Sequence, residues 1–386
     1  MTVSANGKHR ILFVSSNEQW GGSEELWRRA AAILAGDGHH IAVLKPRIAW
    51  EDPTIRALID ANCTVADLRG PRWWPRKLRS LASILWPFMR RVSEMQMRKS
   101  VRRHRPSLVV ISQGLNHDGW LEAETAQALG KATVLISQKA DDIYWPSDSL
   151  RARLRRIYPI ARAALFVSQH NLAVTEEQLG LRLTNAQIVP NPFEVAWDAA
   201  PPWPGGDGLD LACLARLDVR EKGQDILLRL LARPKWRDRP VRVTFYGSGH
   251  NAEGLAGMGQ LLGLTSIHFA GFTDAPGDVW ARHHGLILPS RCEGLPLSLV
   301  ETMLAGRVPI VTNVGGNGEV VDDGRTGFLA ESASESALDA ALERAWAARA
   351  DWPAIGARAA ERIRGYSVAD PVGALCATLR TLAEQS

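Results

Sequence analysis

Short runs of consecutive apolar residues recur along the chain and set its expected architecture. Residues 10–15, 40–44, 108–112, 132–137 and 163–168 form one series, and 209–214, 241–246, 267–272, 286–290 and 308–312 form a second. Runs this short, rich in Val, Ile, Leu and Phe, read as strands buried on both faces, as in a parallel sheet. Between them apolar positions recur at helical spacing, as at Leu26, Ala30, Ile33 and Leu34, or at Ile226, Leu227, Leu230 and Leu231. Strand and helix therefore alternate in β-α-β units, whose ligands bind beyond the carboxyl ends of the strands. For the first helix Ser23 is the expected N-cap, with Glu24 and Glu25 at the positive end of its dipole.

The two series are separated by Val189-Pro190-Asn191-Pro192-Phe193 and Pro201-Pro202-Trp203-Pro204-Gly205-Gly206, a Pro/Gly-rich stretch of the kind in which domain boundaries fall. A chain of 386 residues also exceeds what one core usually supports. The expected class is α/β, with two facing Rossmann-like domains and a cleft between them. Their expected limits are 1–190 and 208–365, joined by a linker at 191–207. A last helical stretch, 366–386, is expected to cross back to the first domain.

Composition narrows the function. Hydrophobic residues at 46% and charged residues at 23% suit a globular enzyme. Cys63, Cys213, Cys292 and Cys376 are scattered, without C-x-x-C spacing, which argues for reduced thiols and a cytoplasmic protein. The stretch Met1 to Lys8 has no apolar core, and no apolar run approaches the ~20 residues that span a bilayer. The net charge of +5 is uneven: Arg69 to Arg105 holds twelve Lys and Arg against Glu94, a local +11, which leaves −6 for the rest. A uniformly basic nucleic-acid binder does not look like this.

Within that basic segment Trp73, Trp74, Arg76 and Lys77 precede a stripe of Leu78, Leu81, Leu85, Phe88, Val92 and Met95, flanked by Arg90 and Arg91. Pro87 is expected to kink or split the helix. Basic residues beside Trp and Leu suit an anionic membrane surface, so peripheral contact with the inner face of a membrane is expected. A plain domain helix packed on the sheet is the alternative, and a soluble anionic acceptor or a nucleic acid is a third reading.

The densest chemistry lies in Arg291-Cys292-Glu293-Gly294-Leu295-Pro296-Leu297-Ser298-Leu299-Val300-Glu301, after a buried strand. Pro296 has the preset φ of a first helical turn, and Leu297, Val300, Met303 and Leu304 follow at helical spacing. Glu301 is then about two turns into a helix that Glu293 precedes. Amides at such a helix start, beside the small Gly294, suit an anion. An ionised carboxylate can accept both protons of a vicinal diol. A nucleotide-sugar, with its diphosphate, ribose and hexose, fits that combination.

These residues, Glu293 and Glu301 with Gly294-Leu295-Pro296-Leu297 between them, resemble the signature of retaining GT-B glycosyltransferases of the GT4 family. Arg216 and Lys222 resemble the family's Gly-Arg-Leu…Glu-Lys-Gly segment, with Ala215 in place of the commoner glycine. Trp20-Gly21-Gly22-Ser23-Glu24 resembles its Gly-Gly-x-Glu loop, and Gly247-Ser248-Gly249 its Gly-x-Gly turn. The resemblance covers residues 209 to 331 closely and the first half loosely. It implies that Arg216 and Lys222 hold the donor diphosphate, that Glu293 meets the transferred sugar, and that Glu301 meets the ribose. It also places Gly22, Gln138, Gly247, Gly249 and Phe272 at the donor, Phe272 bordering the nucleobase. Gln138 stands where the family commonly has a histidine, and His117 is a candidate substitute.

The expected activity is transfer of a sugar from a nucleotide-diphosphate donor to an acceptor hydroxyl with retention, in envelope glycolipid or polysaccharide assembly. The acceptor is expected to be lipid-linked or anionic. No cofactor and no metal are expected, since a D-x-D pattern is absent. A same-fold nucleotide-sugar epimerase and a non-catalytic partner subunit are the rivals. The segment Gly247 to Ala252 also fits the dinucleotide fingerprint G-x-G-x-x-A, but no acid sits near residue 267 to bind a ribose, which argues against an oxidoreductase.

Overall fold

A computed structural model describes residues 7–18, 20–69, 82–206 and 208–385, with the backbone alone for 82–89. The chain divides into two compact units, Met1–Pro192 with Asp370–Ser386, and Phe193–Ala369. In the first, seven strands form one parallel sheet: β1 (Arg10–Ser15), β2 (His40–Lys45), β3 (Thr64–Asp67), β4 (Leu108–Leu115), β5 (Ala132–Lys139), β6 (Ala163–Phe166) and β7 (Ala186–Ile188). Their order is β3-β2-β1-β4-β5-β6-β7. The helices are α1 (Gly22–Gly36), α2 (Pro53–Asp60), α3 (Ala82–His104), α4 (Trp120–Ala128), α5 (Asp148–Ile160) and α6 (Gln169–Leu179).

The second unit carries a six-stranded parallel sheet, β10-β9-β8-β11-β12-β13. Its strands are β8 (Leu209–Leu214), β9 (Val241–Tyr246), β10 (Ile267–Gly271), β11 (Gly285–Leu288), β12 (Val308–Thr312) and β13 (Phe328–Ala330). Helices α7 (Val219–Lys222), α8 (Gln224–Leu231), α9 (Pro234–Arg237), α10 (Ala252–Leu261), α11 (Pro276–Arg282) and α12 (Leu297–Leu304) precede α13 (Asn317–Val320), α14 (Glu335–Ala347) and α15 (Trp352–Tyr366). The final helix, α16 (Pro371–Glu384), belongs to the first unit.

The central strands are apolar at nearly every position because helices cover both faces of each sheet. In the first unit Leu26, Trp27, Ala30 and Leu34 of α1 bury against Leu375, Cys376 and Leu379 of α16 on one face. Met97 and Val101 of α3 join Leu12, Val14, Val109 and Ile111 on the other. Ile33, expected on the buried face of α1, is exposed, and Trp27 and Ala31 take that side instead. The cap of α1 is Gly21 rather than Ser23, with no side-chain cap bond. Helix α3 runs unbroken through position 87, so it is not split there.

In each sheet the strand order reverses once. The reversal lies between β1 and β4 in the first unit and between β8 and β11 in the second. Loops leaving the carboxyl ends of two such strands diverge and open a crevice between them.

Candidate functional site

Arg216 and Lys222 follow β8, and Glu293 follows β11, so all three stand at the reversal point of the second sheet. Lys222 closes the one-turn helix α7, which Asp218 caps through Arg220 N at 3.1 Å. Gly223 then turns the chain at φ 62°, and a side chain there would collide with the Pro289 carbonyl. The α7 turn thereby lies against the β11 loop. Lys222 Nζ donates to both oxygens of Glu293, at 2.8 and 2.7 Å. The buried Ser290 Oγ donates to Glu293 Oε1 at 2.7 Å. The two side chains keep 15% and 6% of their exposure, so this ion pair is largely withdrawn from water.

Arg216 is half-exposed and pairs with Glu221 Oε2 at 2.7 Å, while its carbonyl accepts from Gln224 Nε2 at 2.7 Å. Both cations are thus salt-bridged, Arg216 to Glu221 of α7 and Lys222 to Glu293 of the β11 loop. The helix after Glu293 begins later than its sequence suggests. Pro296 is the N-cap, Leu297 the first helical residue, and Glu301 little more than one turn in. No side chain caps α12. Gly294 is buried and its carbonyl accepts from Gly316 N at 2.6 Å, which packs the loop after β12 onto the signature.

Glu301 is buried and accepts from Glu194 N at 3.0 Å. It is the first of three grips on the segment after Phe193. Arg364 Nε donates to the Trp197 carbonyl at 2.8 Å, and Arg307 Nη2 to those of Pro201 and Pro202 at 3.2 and 2.6 Å. Burial pulls the Arg307 guanidinium down to about 10. From Phe193 onward the Pro-rich linker is therefore strapped to the second unit.

Gly247 and Gly249 owe their identity to loop packing. Gly247 sits at φ 135°, and side chains at the two positions would collide with the Ala215 and Leu217 carbonyls. Backbone bonds from Ala215 N to Tyr246 O and from Leu217 N to Ser248 O, each 3.0 Å, tie this turn to the Arg216 loop. Phe272 is 77% exposed. It lines a depression of about 480 Å³ with Tyr246, His268 and Thr273.

In the first unit Gly22 is the exposed first residue of α1. Gln138 is a buried residue of β5, not of the loop beyond it. Its Oε1 accepts from Asn191 Nδ2 at 2.8 Å, and its Nε2 has no partner among the described residues. His117 Nδ1 lies 3.2 Å from its neighbour Asn116 Oδ1. The reversal point of this sheet holds a buried ion pair that sequence reasoning missed: Lys45 Nζ lies 3.1 Å from Glu24 Oε2. Ser15 Oγ and Asn17 Nδ2 also donate to that carboxylate, at 2.7 and 2.9 Å. Burial drives the Lys45 ammonium below its ordinary value, and Glu24 opposes the shift.

The membrane candidates divide. Trp73, Trp74, Arg76 and Lys77 lie outside the described residues. Arg90 lies on α3 with its guanidinium 4.8 Å from the Trp120 ring, and Arg91 is exposed. Of the expected stripe Val92 is buried, whereas Met95 is exposed and Met97 and Val101 fill the core instead. The described part of α3 packs as a domain helix and presents Arg91, Met95 and Arg102 outward. Among the described residues no helix is long and apolar enough to cross a membrane, and no three His, Cys, Asp or Glu cluster as metal ligands.

Solved structures share this architecture. HepE of Anabaena, in complex with UDP and glucose, aligns with a TM-score of 0.74 over 97% of this chain and 99% of its own, at 18% identity. Sucrose-phosphate synthase from Thermosynechococcus elongatus aligns at 0.75 over 98% and 100%, at 16% identity. The fold is GT-B. Residues 208–348 match the family model described as Glycosyl transferases group 1. The GDP-mannose-dependent alpha-(1-6)-phosphatidylinositol monomannoside mannosyltransferase of Mycolicibacterium smegmatis is 27% identical over 241 residues, which are 56% of this chain and 62% of that protein. A glycogen synthase of a Marinomonas species is 30% identical over 132 residues, 33% of this chain and 27% of its own length.

The matched segment of this GT-B chain contains Arg216, Lys222, Glu293 and Glu301. The structure brings Lys222 and Glu293 into contact, sets Arg216 on the Lys222 loop, and gives Glu301 a backbone partner in the strap. Ser290, Glu221, Arg291 and Asp225 were not singled out, although Ser290 and Arg291 sit beside the signature and Asp225 three residues past Lys222.

Proposed function

We propose that the chain is a glycosyltransferase that moves a sugar from a nucleotide-diphosphate donor to an acceptor hydroxyl, with retention of anomeric configuration. The observation that carries this reading is the Lys222–Glu293 pair at the reversal point of the second sheet, inside the segment that matches the family model. An ammonium has three N–H donors, and Lys222 spends two on Glu293, so the third serves a phosphate oxygen. Arg216 adds a second cation from the same loop. Together they stabilise charge that grows on the diphosphate as the bond to the sugar breaks. Glu293 keeps lone pairs for a sugar hydroxyl, and Glu301 is assigned to the ribose. The C1–phosphate oxygen bond breaks, the C1–acceptor oxygen bond forms on the same face, and the acceptor's proton passes to the departing phosphate. No metal enters this scheme, since the cations do that work.

The names of the relatives support a nucleotide-sugar donor: one is GDP-mannose-dependent, and HepE is in complex with UDP and glucose. The mannosyltransferase is named for a lipid acceptor, which agrees with peripheral docking of the basic segment on anionic membrane. Calorimetry with UDP-, GDP- and ADP-sugars and the free diphosphates, followed by release of nucleotide with and without chelator, tests the donor assignment. Binding of one donor and chelator-resistant turnover are expected; absence of heat from the whole panel refutes it. Anomeric NMR of the product tests retention. Sedimentation with anionic and neutral vesicles tests docking, and no binding to either at low salt ends that part.

A further inference from the structure

Arg291 lies next to the signature, and its guanidinium binds Val219 and Asp225 rather than Glu293. Its Nη1 and Nη2 form a fork on Asp225 Oδ1 and Oδ2, at 2.7 and 3.0 Å. Nη1 also donates to the Val219 carbonyl at 2.6 Å, and its backbone N to the Glu221 carbonyl at 2.7 Å. Cys292 N reaches that same carbonyl at 3.2 Å. One residue of the β11 loop thus binds the first residue of α7, the third, and the second of α8. Lys222 lies between these points, and Glu293 is two residues from Arg291. We propose that Arg291 is a positioning residue that locks α7 against the β11 loop and so holds Lys222 at the distance from Glu293 that the transfer reaction uses.

The geometry is of the kind a positioning role needs. A forked guanidinium fixes two loops in orientation as well as distance, which a single ammonium cannot do. Asp225 is itself mostly buried. Burial opposes its ionisation, but the bonds from Arg291 and Arg229 prevail and hold its carboxyl below the ordinary value, so the fork is charged at neutral pH. Arg229, one turn along α8, supplies the second cation.

The inference rests on the glycosyltransferase reading, so its test carries a readout independent of any nucleotide. Arg291→Ala and Arg291→Lys are made in the parent and in a Lys222→Ala background. In the parent both are expected to lower kcat by about 10- to 100-fold, the scale on which a small misplacement of a reacting group acts. Lysine is not expected to rescue the alanine variant, because it cannot make the fork. In the Lys222→Ala background the same changes are expected to alter nucleoside-diphosphate affinity by less than about twofold, because the group they position is gone. Amine acylation mapped by mass spectrometry should show Lys222 more reactive in Arg291→Ala while Lys45 stays protected. Variants that melt earlier but keep parental kcat, or equal losses in both backgrounds, overturn the proposal. Unchanged Lys222 reactivity overturns it as well. A parent that binds no nucleotide but shows the rise in reactivity sinks the glycosyltransferase reading and leaves the lock standing.

Discussion

Removing the Lys222 side chain should destabilise the second unit through its partner. Glu293 keeps only 6% of its exposure and would retain one strong donor, Ser290 Oγ at 2.7 Å. Breaking a buried ion pair by deleting one member costs roughly 3–5 kcal/mol. Lys222 retains 15% exposure, which places the expected cost of Lys222→Met near the low end, about 3 kcal/mol. For a unit of this size each kcal/mol moves Tm by about 2–4 °C, so the transition of the second unit should fall by roughly 6–12 °C. Glu293→Gln should cost less, because the amide still accepts from Ser290 and the ammonium can turn toward water. The double variant should recover most of the loss, since replacing both members of a buried pair is often close to neutral. Turnover should not recover, because the cation and the acceptor are both gone. Differential scanning calorimetry of the four proteins reads the cycle directly. A Tm change below about 2 °C for Lys222→Met, or a double variant that loses the sum of the singles, would show that the pair is not closed in solution.

Three further measurements bear on the neighbouring groups. The Asp225 carboxyl is held below its usual value of 3.8 in the folded chain, so its contribution is fully present above that value and is lost as pH falls through the lower folded one. The stability gap between parent and Asp225→Asn should stay constant from about pH 5 to 8 in urea melts and shrink below about pH 4; a gap that closes between pH 8 and 6 contradicts the fork. Glu301→Ala should strip Glu194 N–H of its acceptor, costing about 1–3 kcal/mol and speeding amide exchange at Glu194, whereas unchanged exchange would mean the strap is held without Glu301. Burial pushes the Cys63 and Cys213 thiols up to about 12 and Cys376 to about 11, so these three should resist alkylation at pH 8 until denaturant is added.

What could be read from the chain follows from which forces act locally. The central strands of both sheets were legible because burial on two faces writes itself as an unbroken apolar run, as in Ile11 to Val14 or Leu286 to Leu288, whereas the short edge strands β3, β7 and β13 were not. Helix starts were less so: Ser23 and Pro296 looked like a cap and a first-turn residue, but the caps are Gly21 and Pro296 and the first helical residues Gly22 and Leu297. The cations and carboxylates of the second unit were legible as candidates because they follow apolar runs and sit in segments that resemble a known family. Their pairing was not, because Lys222 and Glu293 are separated by 71 positions and meet only after the chain has built β9 and β10 and returned beside β8. Gly247 and Gly249 carry a reason for glycine that does not show in the sequence: a side chain at either position would collide with the chain's own carbonyls. Lys45 left a signal that was passed over: it ends a strand whose preceding four residues are all buried, and a lysine in that position must find a buried anion. Glu24 is that anion, so a carboxylate read as a partner of the helix dipole is also a buried member of an ion pair in the first unit.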